Sequence, residues 1–234
     1  MLNPQLDVPA LAAQFKIKNR IQIRDALQPE IADRLLYCLE HEVPWGIAYL
    51  EGKEPALIMA DTLTGYSQTD WHNLHLKVQA SRPDEFQFLY NSYMMVTAYL
   101  EKRDPHLILH RAVEYINSNI FLDFLRGVSG VEHIIKADAQ ATRYMPGCFL
   151  RKHDDTGKDA TRQVAYVINL TKGWRADWGG LLQFLDEEGM VTETFDPVFN
   201  SLTLFKVPMS HHVSYTAPYA PHGRYAITGW GMSR

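Results

Sequence analysis

The last hundred residues break into short apolar segments separated by Gly, Pro and Asp, and that spacing restricts the chain to a sheet-rich fold. The segments "VEHIIKADAQATRYM", "RQVAYVINLT", "LLQFLD", "SLTLFKV" and "RYAITGW" have the β-branched and aromatic content of strands. Strands of this length and spacing are expected to form a double-stranded β-helix, or jelly roll. The first 130 residues read as mixed. "QPEIADRLLYCLEHE" places Ile31, Leu35, Leu36 and Leu39 on one helical face, with Pro29 suited to the first turn. "PHLILHRAVEYINSNIFLDFLRGVSG" reads as one or two helices stopped by Gly127 and Gly130. "WGIAYLEG" is strand-like, and "FQFLYNSYMMVTAYL" has strand content at a length that also suits a helix. With 234 residues and 46% hydrophobic content the chain can bury a full core. The expected architecture is mainly β with N-terminal helices (α+β), in a single domain over residues 1–234. Residues 1–130 would give mixed helical and strand support, and residues 131–234 the jelly-roll core.

Two clusters in the sheet region carry chemistry. In an extended strand "RKHDD" puts His153 and Asp155 on one face and Asp154 on the other. A second histidine from a neighbouring strand would complete two imidazoles and one carboxylate, and His211 and His212 both compete for that place. Such a facial set leaves positions open on an octahedral ion, the arrangement non-haem Fe(II) oxygenases use. Arg224 stands among Tyr225, Ala226, Ile227 and Trp230, where a buried charge needs a partner. Its planar fork matches a carboxylate bidentately. His-x-Asp alone is more often a solvated loop than a metal site, but a Gly-Gly turn, the distal histidine and the Arg strand follow it in that order. The histidines at positions 41, 72, 75, 106, 110, 133 and 222 read as solvated or core polar residues. His72 and His75, at helical i, i+3 spacing, have no carboxylate partner to make a second metal site. Trp174 and Trp178 read as packing and loop anchors.

These motifs resemble the Fe(II)- and 2-oxoglutarate-dependent oxygenases, and within them the prolyl hydroxylase branch. "RYMPGCFLRKHDD" is similar to the branch's Tyr-x-Pro-Gly segment leading into His-x-Asp, and "NLTKGWRADWGGLLQF" to its Trp and Gly-Gly turn. "FKVPMSHHVSYT" is similar to its distal His-x-Val, and "RYAITGW" to its closing Arg strand. The resemblance implies that His153, Asp155 and His211 ligate iron and that Arg224 meets the distal carboxylate of 2-oxoglutarate, with Tyr144 also touching the cosubstrate. It implies Fe(II), 2-oxoglutarate and O2 as cofactors, with ascorbate as a further candidate, and no catalytic residue beyond the metal and cosubstrate ligands. Two positions depart from the pattern. Ala226 stands where the family often has Ser or Thr, a place Thr228 on the same strand face could fill, and Asn169 stands where many prolyl hydroxylases have Tyr. The "HDD" form and the "GRYAITGW" ending are most similar to hydroxylases of a ribosomal-protein proline. Those carry a second, degenerate barrel, so the resemblance covers their catalytic half.

The implied activity is a prolyl 4-hydroxylase-like dioxygenase releasing succinate and CO2, acting on a proline in a loop of a translation-associated protein or peptide. The alternatives are the same chemistry on a free amino acid or other small metabolite, and a non-catalytic jelly-roll binding domain. The last would be expected to lose a ligand or the Arg anchor. Substrate choice is expected to lie in "EGKEPALIMADTLTGYSQTDW" and "HDDTGKDATRQ", as a lid or a pocket wall. A formal net charge of −4 gives no basic footprint for nucleic acid. The absence of a long apolar run argues against a membrane span. Two cysteines, Cys38 and Cys148, make no disulfide framework and fit a reducing, cytoplasmic setting.

Overall fold

The computed structural model describes residues 1–82, 84–156 and 161–233. Part of the "HDDTGKDATRQ" segment, residues 157–160, lies outside the described residues. Helix α1 (Val8–Lys18) leads into β1 (Arg20–Ile23), α2 (Pro29–His41) and the hairpin β2 (Gly46–Glu51) and β3 (Glu54–Ile58). Helices α3 (Ala60–Leu63) and α4 (Gln68–Gln79) precede β4 (Phe88–Tyr93), and α5 (Met95–Leu100), α6 (Leu109–Ile116) and α7 (Asn119–Ser129) follow it. Apart from a short 3-10 helix (Ala176–Trp178), the elements that follow are strands: β5 (Lys136–Ala137), β6 (Gln140–Tyr144), β7 (Phe149–His153), β8 (Arg162–Asn169), β9 (Leu182–Leu185), β10 (Val191–Phe195), β11 (Ser201–Lys206), β12 (His211–Val213) and β13 (Arg224–Met232). All pairings are antiparallel, in the order β1-β11-β8-β13-β6-β4-β7-β12-β9-β10, with β2 added to β4 and β5 to β13. The fold is a jelly roll covered by helices.

Strand alternation divides the sheet between a core and a cavity. On one face Val164, Tyr166 and Ile168 of β8, Leu202 and Leu204 of β11, and Tyr225 and Ile227 of β13 join the main core with the helices. Helix α2 supplies Ala32, Leu35, Leu36 and Leu39 to it, and α7 supplies Phe121, Leu122 and Leu125. Burying each such Leu or Phe side chain contributes about 1.5–3 kcal/mol before entropy is set against it. The opposite face carries Ala165, Val167, Phe205, Arg224 and Thr228, which line the barrel cavity.

Several local readings are corrected. "VEHIIKADAQATRYM" is not one strand: β5 and β6 are separated at Asp138, whose side chain accepts from the Ala139 amide at 2.8 Å while its carbonyl accepts from the Tyr166 hydroxyl at 2.6 Å. Such local bonds compete with the ladder. Gly127 is inside α7; the stop is Gly130, at φ 70°, its amide donating to the Arg126 carbonyl at 2.8 Å. "FQFLYNSYMMVTAYL" is both structures in succession, β4 then α5. Both cysteines are buried and free. Among the described residues no helix is long and apolar enough to cross a membrane.

Candidate active site

His153 ends β7 and His211 begins β12, and the two are directly paired across the strands, with ring centroids 4.1 Å apart. Each ring is oriented by its own backbone. His153 Nδ1 lies 2.9 Å from the Arg151 carbonyl, and His211 Nδ1 lies 2.7 Å from the Met209 carbonyl. Since a carbonyl only accepts, Nδ1 is the donor in both rings, which leaves each Nε2 turned away from its own backbone. Both Nε2 atoms face Asp155, with Oδ1 3.3 Å from His153 Nε2 and Oδ2 3.6 Å from His211 Nε2. One donor atom from each of the three residues falls within a mutual 4.8 Å. Two imidazole nitrogens and a carboxylate oxygen converging this closely could hold a metal ion between them.

Asp155 reaches this position by a route that strand alternation does not describe. β7 ends at His153, and Asp155 lies beyond it at φ 64°. The turn is made by Asp154, whose carboxylate accepts from the Thr156 amide at 2.9 Å, an Asx-type bond. Asp154 thus shapes the loop from an exposed position, while Asp155, 8% exposed, points inward. Burial acts to raise the Asp155 carboxyl, but the facing imidazoles of His153 and His211 outweigh it and hold the group below the ordinary carboxylate range. Burial first, and then the neighbouring His153, pull His211 down to about 4. At neutral pH the cluster is therefore an anionic carboxylate with His211 as a neutral imidazole, as divalent-metal ligation requires. In β12 alternation does hold: His212 pairs with Gln183 and is half-buried on the other side of the strand.

Arg224 opens β13 opposite Tyr144 of β6 and is 3% exposed. Among the described residues its only side-chain hydrogen bond is from Nη2 to Asn169 Oδ1 at 3.2 Å, its Nε has no partner, and no carboxylate pairs with it. Burial pushes the guanidinium's pKa down from its ordinary value, the cost of holding this charge without an anion. Its guanidinium carbon lies 5.3 Å from the centre of the Tyr144 ring. The Gly-Gly turn closes over the stem: Gly180 sits at φ 63°, and a Cβ there would come within 3.4 Å of Arg224 Cδ and 3.3 Å of Thr216 Oγ1. Thr228 lines the same cavity on the same strand face as Arg224, but the polar group that meets the guanidinium is Asn169.

The cavity has a volume of about 530 Å³, and His153, Asp155, His211, Arg224, Tyr144 and Thr228 all line it. Three further features escape a reading of motifs alone. Phe86, Phe88 and Tyr90 form a ladder of rings at 5.6 and 5.3 Å, ending on Tyr144 at 5.2 Å. The alternation of aromatics in "FQFLY" was its available signal. Arg162 lies 3.7 Å over the Trp230 ring and donates to the Asp155 carbonyl at 3.3 Å, backing the ligand loop. Trp230 turns a buried indole N–H toward the Asp155 carboxylate and helps to hold that carboxyl low, without a hydrogen bond of full geometry among the described residues.

The family model described as the 2OG-Fe(II) oxygenase superfamily matches residues 139–232, which hold all six of these candidate residues. Over that segment, less than half of the sequence, the chain is similar to the 2OG-Fe(II) oxygenase superfamily. The family implies Fe(II), 2-oxoglutarate and O2, and two imidazoles with one carboxylate are a donor set that suits Fe(II). An uncharacterized PKHD-type hydroxylase of Synechocystis is 31% identical to this chain over 110 residues, covering 42% of the chain and 36% of that protein. Mouse prolyl 3-hydroxylase OGFOD1 is 26% identical over 135 residues, covering 55% of the chain and 24% of that protein. The matches thus span about a third and a quarter of these relatives' own lengths. Among solved structures, a Pseudomonas putida prolyl-4-hydroxylase superposes with a TM-score of 0.58 at 16% identity, covering 97% of this chain and 99% of that one. A Trichoplax adhaerens prolyl hydroxylase, solved with a hypoxia-inducible-factor peptide, gives 0.63 at 17%, covering 97% and 89%. At such identities the likeness is one of fold, the double-stranded β-helix.

Proposed function

We propose that this protein hydroxylates a prolyl residue of a protein substrate, with His153, Asp155 and His211 holding Fe(II) and Arg224 receiving the distal carboxylate of 2-oxoglutarate. The observation that carries the reading is the buried, unneutralised Arg224 in the same cavity as the His-Asp-His cluster. Bound there, the metal and cosubstrate supply the power to hydroxylate an unactivated C–H bond with O2, releasing succinate and CO2. The chain's own residues bind and orient. Arg224 fixes the far end of the cosubstrate, the Tyr144 hydroxyl stays protonated and able to donate because burial raises it far above its ordinary value, and the aromatic ladder keeps water from the wall. No side chain is required as a general acid or base.

A polypeptide substrate is favoured by an open groove of about 970 Å³ that adjoins the cavity and shares Phe86 and His153 with it. A small metabolite would need no such extension. The names of the relatives point to proline, one at the 3-position and one solved relative at the 4-position, so the ring position is to be read from the product. A proline in a loop of a translation-associated protein is the first substrate to try. The test is succinate formation by the iron-loaded protein with proline-containing peptides, together with a search for +16 Da modifications in a host with and without it. Efficient turnover of free proline with no peptide or protein modified would overturn the protein-substrate reading.

A further inference from the structure

Asn169 is the last residue of β8, between Ser201 of β11 and Ala226 of β13 in the ladder, and is 2% exposed. Its amide orientation is fixed by a chain of donors. The Ser201 hydroxyl donates to the Val198 carbonyl at 2.7 Å, so its oxygen is left to accept from Asn169 Nδ2 at 3.1 Å. That bond turns Asn169 Oδ1 toward Arg224 Nη2, 3.2 Å away. Asn169 does not line the cavity, whereas Arg224 does. Ala226, directly opposite Asn169, offers no hydroxyl to compete for either group.

We infer that Asn169 is a positioning residue for anion binding: its neutral amide aims the Arg224 guanidinium into the cavity without cancelling its charge, leaving the full positive charge for an incoming carboxylate. The inference rests on the reading that Arg224 receives the distal carboxylate of 2-oxoglutarate. A carboxylate at position 169 would satisfy the same donor but pair the charge internally and repel the ligand. The role is thus filled by an acceptor of the right geometry and no charge, and Ser201 sets which end of the amide faces Arg224.

The test compares two ligands with the same 2-oxo acid head, 2-oxoglutarate and 2-oxobutyrate, titrated calorimetrically into the Mn(II)-loaded protein, where no turnover occurs. Only the first has a distal carboxylate. Asn169→Ala should weaken 2-oxoglutarate about 10-fold and Asn169→Asp about 100-fold or more, with 2-oxobutyrate within about 2-fold of wild type in both. Ser201→Ala, which frees the amide to rotate, should weaken 2-oxoglutarate by about 3-fold and leave 2-oxobutyrate unchanged. It also provides a milder variant should a change at position 169 disturb folding. Equal losses for the two ligands would show a merely structural residue, and 2-oxoglutarate affinity undiminished in Asn169→Asp would overturn the charge argument. Failure of the underlying reading looks different: wild type would bind 2-oxoglutarate no better than 2-oxobutyrate, which removes the premise and the inference with it.

Discussion

Two stretches of one cavity wall hold their functional groups in contrasting ways. The His-Asp-His cluster is assembled locally: both imidazoles are oriented by carbonyls two residues earlier in the chain, and Asp155 by an Asx turn immediately after β7. Arg224 is assembled from a distance, by Asn169 of β8, Tyr144 of β6 and the Gly179–Gly180 turn. The electrostatics differ in the same sense. The first stretch gathers acceptors that call for a cation, and the second holds a cation that calls for an anion. Metal affinity should therefore depend on few residues and anion affinity on the register of the sheet.

The largest effects should come from the ligand cluster. Asp155→Ala and His211→Ala should each abolish iron-dependent succinate production, because the first removes the only carboxylate and the second an imidazole. Asp154→Ala and His212→Ala should keep most of it. Iron titration and turnover in the four variants check this, and activity surviving in Asp155→Ala but lost in Asp154→Ala would exchange their assignments. Next, Arg224→Ala should raise the 2-oxoglutarate dissociation constant roughly 10–100-fold with iron binding nearly unchanged, and Arg224→Lys should recover only part. A parallel loss of iron would show that the two stretches are not independent.

The third effect is one of pH. In metal-free protein, unfolding stability should fall as pH is lowered from about 6.5 to about 4. The unfolded chain takes up a proton at His211 near the ordinary value of about 6.5, while burial and then His153 hold the folded value at about 4. Between the two the unfolded state binds more protons, so stability rises with pH there. The Asp155 contribution, from a carboxyl held below its ordinary range, is present above that range and lost only at more acid pH. Denaturant midpoints across this window measure the slope, and a flat profile would mean that His211 is not held as a neutral imidazole. The smallest effect is at the turn. Gly180→Ala, at positive φ and against Arg224 Cδ, should cost about 1 kcal/mol and weaken 2-oxoglutarate a few-fold while sparing iron. Thermal denaturation and ligand titration of one variant separate the two.

The difference between the stretches also explains what could be read from the chain. The candidate ligands stand out in sequence because His, Asp and Arg among apolar strand residues have few other uses, and the structure gathers them in one cavity. Strand alternation points to Asp155, yet a turn made by Asp154 delivers it and not the strand, which ends at His153. Helix α4 is announced in the sequence by its capping box, Ser67 with Asp70, and α1 by the N-cap Asp7 alone. The role of Asn169 was not legible. It depends on which strand lies beside β8 and in what register, and no local pattern states that.

The strand order bears on how such a molecule comes into being. β13, the last strand in chain order among the described residues, lies in the middle of the sheet between β8 and β6, and β1 pairs with β11 far along the chain. During synthesis the earlier strands therefore leave the ribosome with the central slot of their sheet vacant, exposing unpaired edges on both sides of it. Contacts this distant in sequence also close slowly. Arg224 is the first residue of the strand that fills the slot, so the residue proposed as the anion anchor takes its place with the strand that closes the sheet.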